Sequence, residues 1–166
     1  MRTPHRMAVT AVAGLAVATA TGLAVTACAL PLLGRDRPHA GSMSCPTVDT
    51  INQLLGTSVD ELQGGATNDD ELSCMYLKSM FPIVTVYVSS DEDPEVFELG
   101  RRVGTFGGVV TDIPDFYDSA FTLTGSMLLA GTELQVLSGT VSVDITASAT
   151  LDQEKALASL LLDSLS

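Results

Sequence analysis

A single uncharged apolar segment decides how much of this chain is available to form a folded domain. Residues 7–27 follow two early arginines, carry no charge and consist mainly of Ala, Val, Leu and Thr. Ala27 is small and directly precedes Cys28, a layout typical of a signal-peptide cleavage site. We therefore expect residues 1–27 to be an export signal and the remainder to form one small domain behind a tether.

The segment Val25-Thr26-Ala27-Cys28 resembles the lipobox of a bacterial lipoprotein signal peptide. The resemblance implies that Cys28 becomes the first residue after cleavage and that its thiol carries a lipid anchor, such as diacylglycerol with a further palmitate. Two or three acyl chains hold a protein firmly at a membrane, whereas one chain binds only marginally. The alternative is an uncleaved transmembrane helix over residues 7–33, which are weakly apolar and interrupted by Pro31. Both hypotheses place the chain from Cys45 onward outside the cytoplasm.

The charge balance restricts the partners of the exported part. After removal of the signal, six basic residues stand against 20 acidic ones. Nucleic acids and anionic lipid head groups both attract positively charged surfaces, so we expect neither as a direct ligand. Contact with the membrane is expected through the lipid on Cys28, and the acidic surface keeps the domain soluble.

Cys45 and Cys74 form an even pair in a chain that we expect to be exported, which predicts a disulfide between them. A redox or metal role would need closer spacing or a histidine partner, so neither a metal nor a cofactor is expected. His5 lies in the signal and His39 in the tether, and the folded domain is therefore predicted to contain no histidine. That excludes Ser-His-Asp and Cys-His catalysis and the usual zinc sites.

Pro, Gly and polar residues over 28–44 predict a flexible tether ahead of a single domain over 45–166. Start signals and apolar spacing predict three helices, which begin after Thr47, at Asp93-Pro94 and at the capping box 150–153. The side chains expected to face inward from the second and third helices are Val96, Phe97, Leu99, Leu157, Leu160, Leu161 and Leu165.

Alternating apolar residues predict strands between and after these helices. The predicted strands are residues 74–77, 83–88, 106–113, 121–123, 127–129, 134–137 and 141–147. The polar segment 57–71 is expected to be a long loop. Strands that occur in runs favour an α+β fold, with an antiparallel sheet packed against about three helices.

Short matches to one protein family extend along the chain. They are Cys28, a helix that starts at Cys45 and ends in Leu55-Gly56, and a strand that opens with Cys74-Met75-Tyr76. In these features the chain is similar to small actinobacterial envelope lipoproteins of unknown function, although there an aromatic often follows the second cysteine at once. The resemblance implies an envelope-facing domain without a catalytic motif. A weaker similarity is to envelope lipoproteins with a photosystem-accessory-like α/β sandwich.

Clusters of acidic and aromatic residues are the remaining candidates for a site. The clusters are Asp69-Asp70-Glu71, Asp91-Glu92-Asp93 with Glu95, Asp112 with Asp115 and Asp118, and Phe116 with Tyr117 and Phe121. We interpret the acidic clusters as solvated turns, with a calcium site or a carboxylate-based hydrolase as alternatives. The aromatic group is expected to pack in the core, with an apolar pocket as the alternative.

Together these patterns predict a non-enzymatic, lipid-anchored binding or accessory domain on the extracytoplasmic face of the cell membrane. Its expected partner is an envelope protein or a small apolar, lipid-like ligand. A filled core behind the sheet would favour a protein, and an open apolar pocket would favour the lipid-like ligand.

Overall fold

The computed structural model describes residues 39–104, 107–125 and 131–165. Its elements in chain order are a 3-10 turn (Ala40–Ser42), α1 (Val48–Leu55), β1 (Glu61–Asn68), β2 (Glu71–Lys78), β3 (Phe81–Ser89), α2 (Pro94–Gly104), β4 (Val109–Asp112), β5 (Ser119–Thr124), β6 (Thr132–Ser138), β7 (Val141–Ala147) and α3 (Leu151–Asp163). The strands form one antiparallel sheet in the order β1-β2-β3-β7-β6-β5-β4. The predicted α+β class is confirmed.

Helices α1 and α3 cover one face of the sheet, which we call the first face. Val86 of β3 and Val143 of β7 lie on it and are buried together with Ile51 of α1 and Leu157 of α3. The predicted alternation in β3 and β7 is confirmed, because every second residue of these strands faces this core. Its burial is the main apolar contribution to the stability of the fold.

Helix α2 packs on the opposite, second face. Phe97 of α2 meets Phe121 of β5 with 5.4 Å between ring centroids, and Leu137 of β6 completes this small cluster. Val96 and Leu99 were predicted to face inward, and this is wrong, because they are 57% and 56% exposed. The helix contacts the sheet along a narrow line through Phe97, so residues on either side of that line stay in solvent.

The predicted helix ends are confirmed by their capping groups. The Thr47 side chain caps α1, and Gly56 ends that helix in the left-handed conformation, at φ 65°. A carboxylate oxygen of Asp93 accepts a hydrogen bond from the first turn of α2. Thr150 and Gln153 form the reciprocal capping box of α3.

Of three further predictions, one needs correction and two lie outside the described residues. Leu160 of α3 was expected to face inward but is 42% exposed, because it sits on the edge of the helix face that carries the buried Leu157 and Leu161. The predicted strand 127–129 and the first residue of the predicted strand 106–113 lie outside the described residues.

The prediction of a long loop over residues 57–71 is wrong. Most of this segment is β1, the edge strand paired with β2, and Glu71 already belongs to β2. The residues have low strand propensity, and Gly64, at φ 114°, lies against the carbonyl of Ser73 on β2. Pairing with β2 therefore decides the structure of this segment, and the local sequence pattern does not reveal that pairing.

The fold begins before Cys45, so the predicted tether over 28–44 is too long at its C-terminal end. Ala40 is fully buried, and the Gly41 amide donates to the Asp69 carbonyl at 2.9 Å. A Cβ atom at Gly41 would lie 2.1 Å from the carbonyl oxygen of Asn68, so only glycine permits this close approach. Residues 1–38, including the predicted signal and Cys28, lie outside the described residues.

The predicted disulfide joins Cys45 to Cys74 across 29 residues of sequence and is confirmed. It fastens the start of α1 to the middle of β2. Next to it, the hydroxyl of the fully buried Tyr76 donates to the Pro46 carbonyl at 2.7 Å. Both contacts hold the first helix on the first face of the sheet.

Replacing both cysteines by serine (Cys45→Ser with Cys74→Ser) is expected to lower the free energy of unfolding by about 3–4 kcal/mol, because the unfolded chain regains the entropy of an open loop. Thermal unfolding with and without reductant measures this. The Tm of the wild type should fall on reduction, and that of the double variant should not change. Equal Tm values for the oxidised wild type and the variant would contradict a stabilising role.

Candidate functional site

The space between the sheet and helices α1 and α3 is filled by side chains. Its largest members are nearly inaccessible to solvent: Tyr76, Ile51, Leu72, Leu134, Ile145, Leu157 and Leu161. Burial raises the pKa of the Tyr76 phenol well above its usual value. Because these side chains occupy the core, we expect the described part of the domain to contact a partner through its surface.

The aromatic residues Phe116, Tyr117 and Phe121 do not form one group. Phe121 lies in the second-face cluster, whereas Phe116 packs against the core of the first face. Phe116 also contacts the Tyr117 ring, at 4.9 Å between centroids, and lies 4.6 Å from the ammonium group of Lys155. The preferred interpretation, core packing, holds for Phe121 and in part for Phe116, and the three residues do not line a common pocket.

One end of the sheet gathers the acidic clusters that the sequence singled out. Strand pairing brings together the ends of β1, β4 and β6 with the starts of β2, β5 and β7. The acidic end comprises Asp69, Asp70, Glu71, Asp91, Glu92, Asp93, Asp112, Asp115 and Asp118. Among the described residues, no group of three or more His, Cys, Asp or Glu side chains is placed to hold a metal ion.

Several carboxylates of the acidic end have partners within the domain. Asp112 receives two hydrogen bonds from Arg101, at 2.8 and 2.6 Å. Asp118 accepts from the Gly139 amide at 2.6 Å. Hydrogen bonds from Tyr87 and from the Asn68 amide lower the pKa of the Glu71 carboxyl. These contacts tie neighbouring turns together, so several carboxylates of the predicted solvated turns are bonded within the domain.

His39 belongs to the folded domain, and the prediction that the domain has no histidine is wrong. Its Nδ1 atom lies 3.3 Å from a carboxylate oxygen of Asp70. The Ser90 hydroxyl lies 3.3 Å from the same oxygen and also accepts a hydrogen bond from the Ala40 amide. Serine and histidine both face the carboxylate rather than each other, and Ser90 is 1% exposed, so this is not the geometry of a nucleophilic serine.

A second group of carboxylates lies on the second face of the sheet. Burial, together with the charges of Glu133 and Glu92, raises the pKa of Asp144 on β7 to about 7. Glu92 also accepts a hydrogen bond from the Ser142 hydroxyl at 3.2 Å. One carboxyl here holds a proton near neutral pH beside two others, which is the pattern of a general acid. The strand alternation placed Asp144 on this face, but nothing in the sequence indicated its raised pKa.

Exposed apolar side chains form two surfaces that were not predicted. The tip patch lies on the β2–β3 hairpin and consists of Met75, Met80, Phe81 and Ile83, which are 40%, 84%, 70% and 37% exposed. The helix stripe lies on α2 and consists of Val96, Leu99 and Val103. A groove of about 640 Å³ runs along the helix stripe between Pro94 and Arg102. Contiguous apolar surface of this kind marks interaction sites.

A signal for the tip patch was present in the sequence. Met80 lies in the two-residue connection between β2 and β3, where polar turn residues are usual, and Phe81 directly follows it. Val96 and Leu99 of the helix stripe were visible as apolar residues but were predicted to lie in the core. Only the structure shows that, of the three α2 residues predicted to face inward, Phe97 alone is buried.

Comparison of the chain with known protein families, characterised proteins and solved structures finds no match. In the described part of the chain, no helix has the length and apolar character needed to cross a membrane.

The raised pKa values of the Glu154 carboxyl on α3 and the Asp144 carboxyl on β7 predict how the stability of the domain depends on pH. Glu154 is fully buried, and its carboxylate oxygens have no hydrogen-bond partner among the described residues. Burial raises its pKa from 4.5 to about 7. Because both carboxyls bind protons more tightly in the folded state, their contribution to stability is complete below about pH 4 and is lost as pH rises through about 7.

The variant Glu154→Gln removes the ionisable group and keeps the shape. We expect it to match the wild type at pH 4 and to exceed it at pH 8, by up to about 3 kcal/mol. Chemical unfolding at both pH values measures the difference. The control Glu61→Gln, on an exposed strand, should change stability little at either pH. A Glu154→Gln effect of equal size at pH 4 and pH 8 would refute the buried-carboxyl explanation.

Proposed function

We propose that this protein is a lipid-anchored, extracytoplasmic domain that binds a protein partner in the cell envelope. The observation that carries the proposal is the combination of a filled core with large apolar side chains exposed on the surface. A ligand carrier would need an interior cavity, whereas a filled domain binds through its surface.

The exported location is supported by the disulfide between Cys45 and Cys74, because such bonds persist in oxidising compartments. The lipid anchor is supported by the sequence around Cys28. His39, the first described residue, lies at the acidic end, so the chain from the anchor enters the domain there. Fully extended, the segment from Cys28 to His39 reaches at most about 40 Å. The domain is therefore expected to stay close to the membrane that holds it.

A carboxylate-based hydrolase is the second candidate function, and the raised pKa of Asp144 favours it. Asp144 would donate a proton, and Glu133, two residues along β6 from the Asp144 partner Gln135, would be the second carboxylate. Assays with a panel of chromogenic glycosides between pH 5 and 7 test this. Turnover that disappears in Asp144→Asn but persists in Glu95→Gln would establish it, and an inactive wild type across the panel would count against it.

Metabolic labelling with palmitate tests the anchor. In a bacterial host with lipoprotein-processing enzymes, the wild-type chain is expected to incorporate the label and to sediment with membranes. Cys28→Ala should lose the label, because the acylated thiol is gone. The variant Cys45→Ser with Cys74→Ser is the matched control, since it removes two thiols and leaves Cys28 in place. A wild-type chain that stays unlabelled would contradict the proposal.

A further inference from the structure

The β2–β3 hairpin presents the tip patch on a strained turn. Ser79 and Met80 have φ values of 53° and 70°, in the left-handed region that residues with side chains rarely adopt. Two-residue hairpin turns of this kind normally use Asn-Gly. Met80 and the adjacent Phe81 are also the most exposed members of the patch, so packing within the domain does not explain their presence. Strain of this type is typical of residues kept for a function.

A β-bulge lies close to the turn of the same hairpin. The register shifts between Tyr76 and Leu77, so that Ile83 is the extra residue on β3. Ile83 is 37% exposed, and together with Met80 and Phe81 it continues the apolar surface down one side of the hairpin. Bulges re-aim side chains and are common next to functional sites. The turn, the bulge and the exposure therefore point to the same surface.

The position of the tip patch separates it from the anchor. β2 runs from the acidic end, where His39 enters the domain, to the hairpin turn at Ser79. Eight residues of strand place the turn roughly 25 Å from that end. The tip patch is thus the part of β2 and β3 most remote from the tether.

Charge around the hairpin indicates the chemistry of the partner. Asp60 and Glu61 are exposed near the turn, where the Asp60 amide donates to the Leu77 carbonyl at 2.9 Å, and the exposed Lys78 directly precedes the turn and donates to the Ser58 hydroxyl. From residue 39 onward the chain carries four basic residues against nineteen acidic ones. A second copy of the chain and an anionic lipid surface would both be repelled, whereas a basic surface would be attracted.

We propose that the tip patch is the docking element of the domain, and that Met80 and Phe81 insert into an apolar pocket with a basic rim on an envelope protein. This inference rests on the proposed binding function and names its contact surface. Large apolar side chains that enter a pocket carry most of the binding energy of an interface. The flanking Asp60 and Glu61 would meet the basic rim and speed association.

Photo-cross-linking in the full-length, membrane-bound protein tests the inference. A photoreactive amino acid is placed at Phe81, at Leu99 of the helix stripe, or at Val109, which is 64% exposed on the edge strand β4 and serves as the control. The inference predicts a protein adduct at position 81 and none at position 109. With that protein purified, Phe81→Ser should weaken binding roughly tenfold or more, and Val109→Ser should leave it nearly unchanged.

Met80→Gly separates folding from binding. Glycine accepts the positive φ without strain, so this variant should raise Tm by a few degrees while it lowers affinity for the partner. Replacing Asp60 and Glu61 by lysine should slow association and weaken its salt dependence. A merely structural role for Met80 would predict unchanged affinity in Met80→Gly.

Several outcomes would overturn the inference. One is that position 81 forms adducts only with lipid or with a second copy of the chain. Another is that Phe81→Ser binds the partner with unchanged affinity. If a partner is captured at position 99 and binds Phe81→Ser normally, the binding function stands and the tip inference fails. If no position captures a protein, both proposals fail.

Discussion

Burial of the first face of the sheet is the interaction on which the rest of this structure depends. β3 and β7 contribute alternate valine and isoleucine side chains, and α1 and α3 cover them. The Cys45–Cys74 disulfide and the Tyr76 hydroxyl both secure α1 on that face. The buried side chains of this face support the proposal that the described part of the domain binds a partner through its surface.

The surface is divided along the strand direction. Strand pairing collects carboxylates at the end where the chain enters, while the β2–β3 hairpin carries Met80 and Phe81 at the other end. The polar end needs its internal hydrogen bonds, such as those of Asp112 and Asp118, to hold the turns in place. The side chains of Met80 and Phe81 are instead 84% and 70% exposed, and exposed apolar surface of this kind is typical of interaction sites.

The sequence predicted those parts of the fold that local signals determine. Helix caps at Thr47, Asp93 and Thr150 act within one turn, and the alternation in β7 reports a strand with a buried face. β1 was missed because a Gly-Gly strand forms only by pairing with β2. The exposure of Val96 and Leu99 depends on where α2 crosses the sheet, which no local pattern encodes.

The candidate sites were less predictable than the fold, because they depend more on contacts that no local pattern encodes. The cysteine pair could be predicted from export and parity alone, and it is confirmed. The raised pKa of Asp144 depends first on the burial of its carboxyl in the folded domain and then on the charges of Glu133 and Glu92. The tip patch depends on the turn at Ser79 and Met80, and these residue types do not predict the positive φ values found there.

The most direct test of the account is the depth of the hairpin turn relative to the bilayer. A fluorescent label at position 80 or at position 69 of the full-length, membrane-bound protein is exposed to quenchers dissolved either in the lipid or in water. With the purified lipidated protein in vesicles that hold no partner, we expect quenching from water at both positions, with position 80 the farther from the bilayer, because the proposed tether joins the domain at its acidic end. Quenching of position 80 by the lipid-borne quencher would show that the tip inserts into the membrane and would contradict the account.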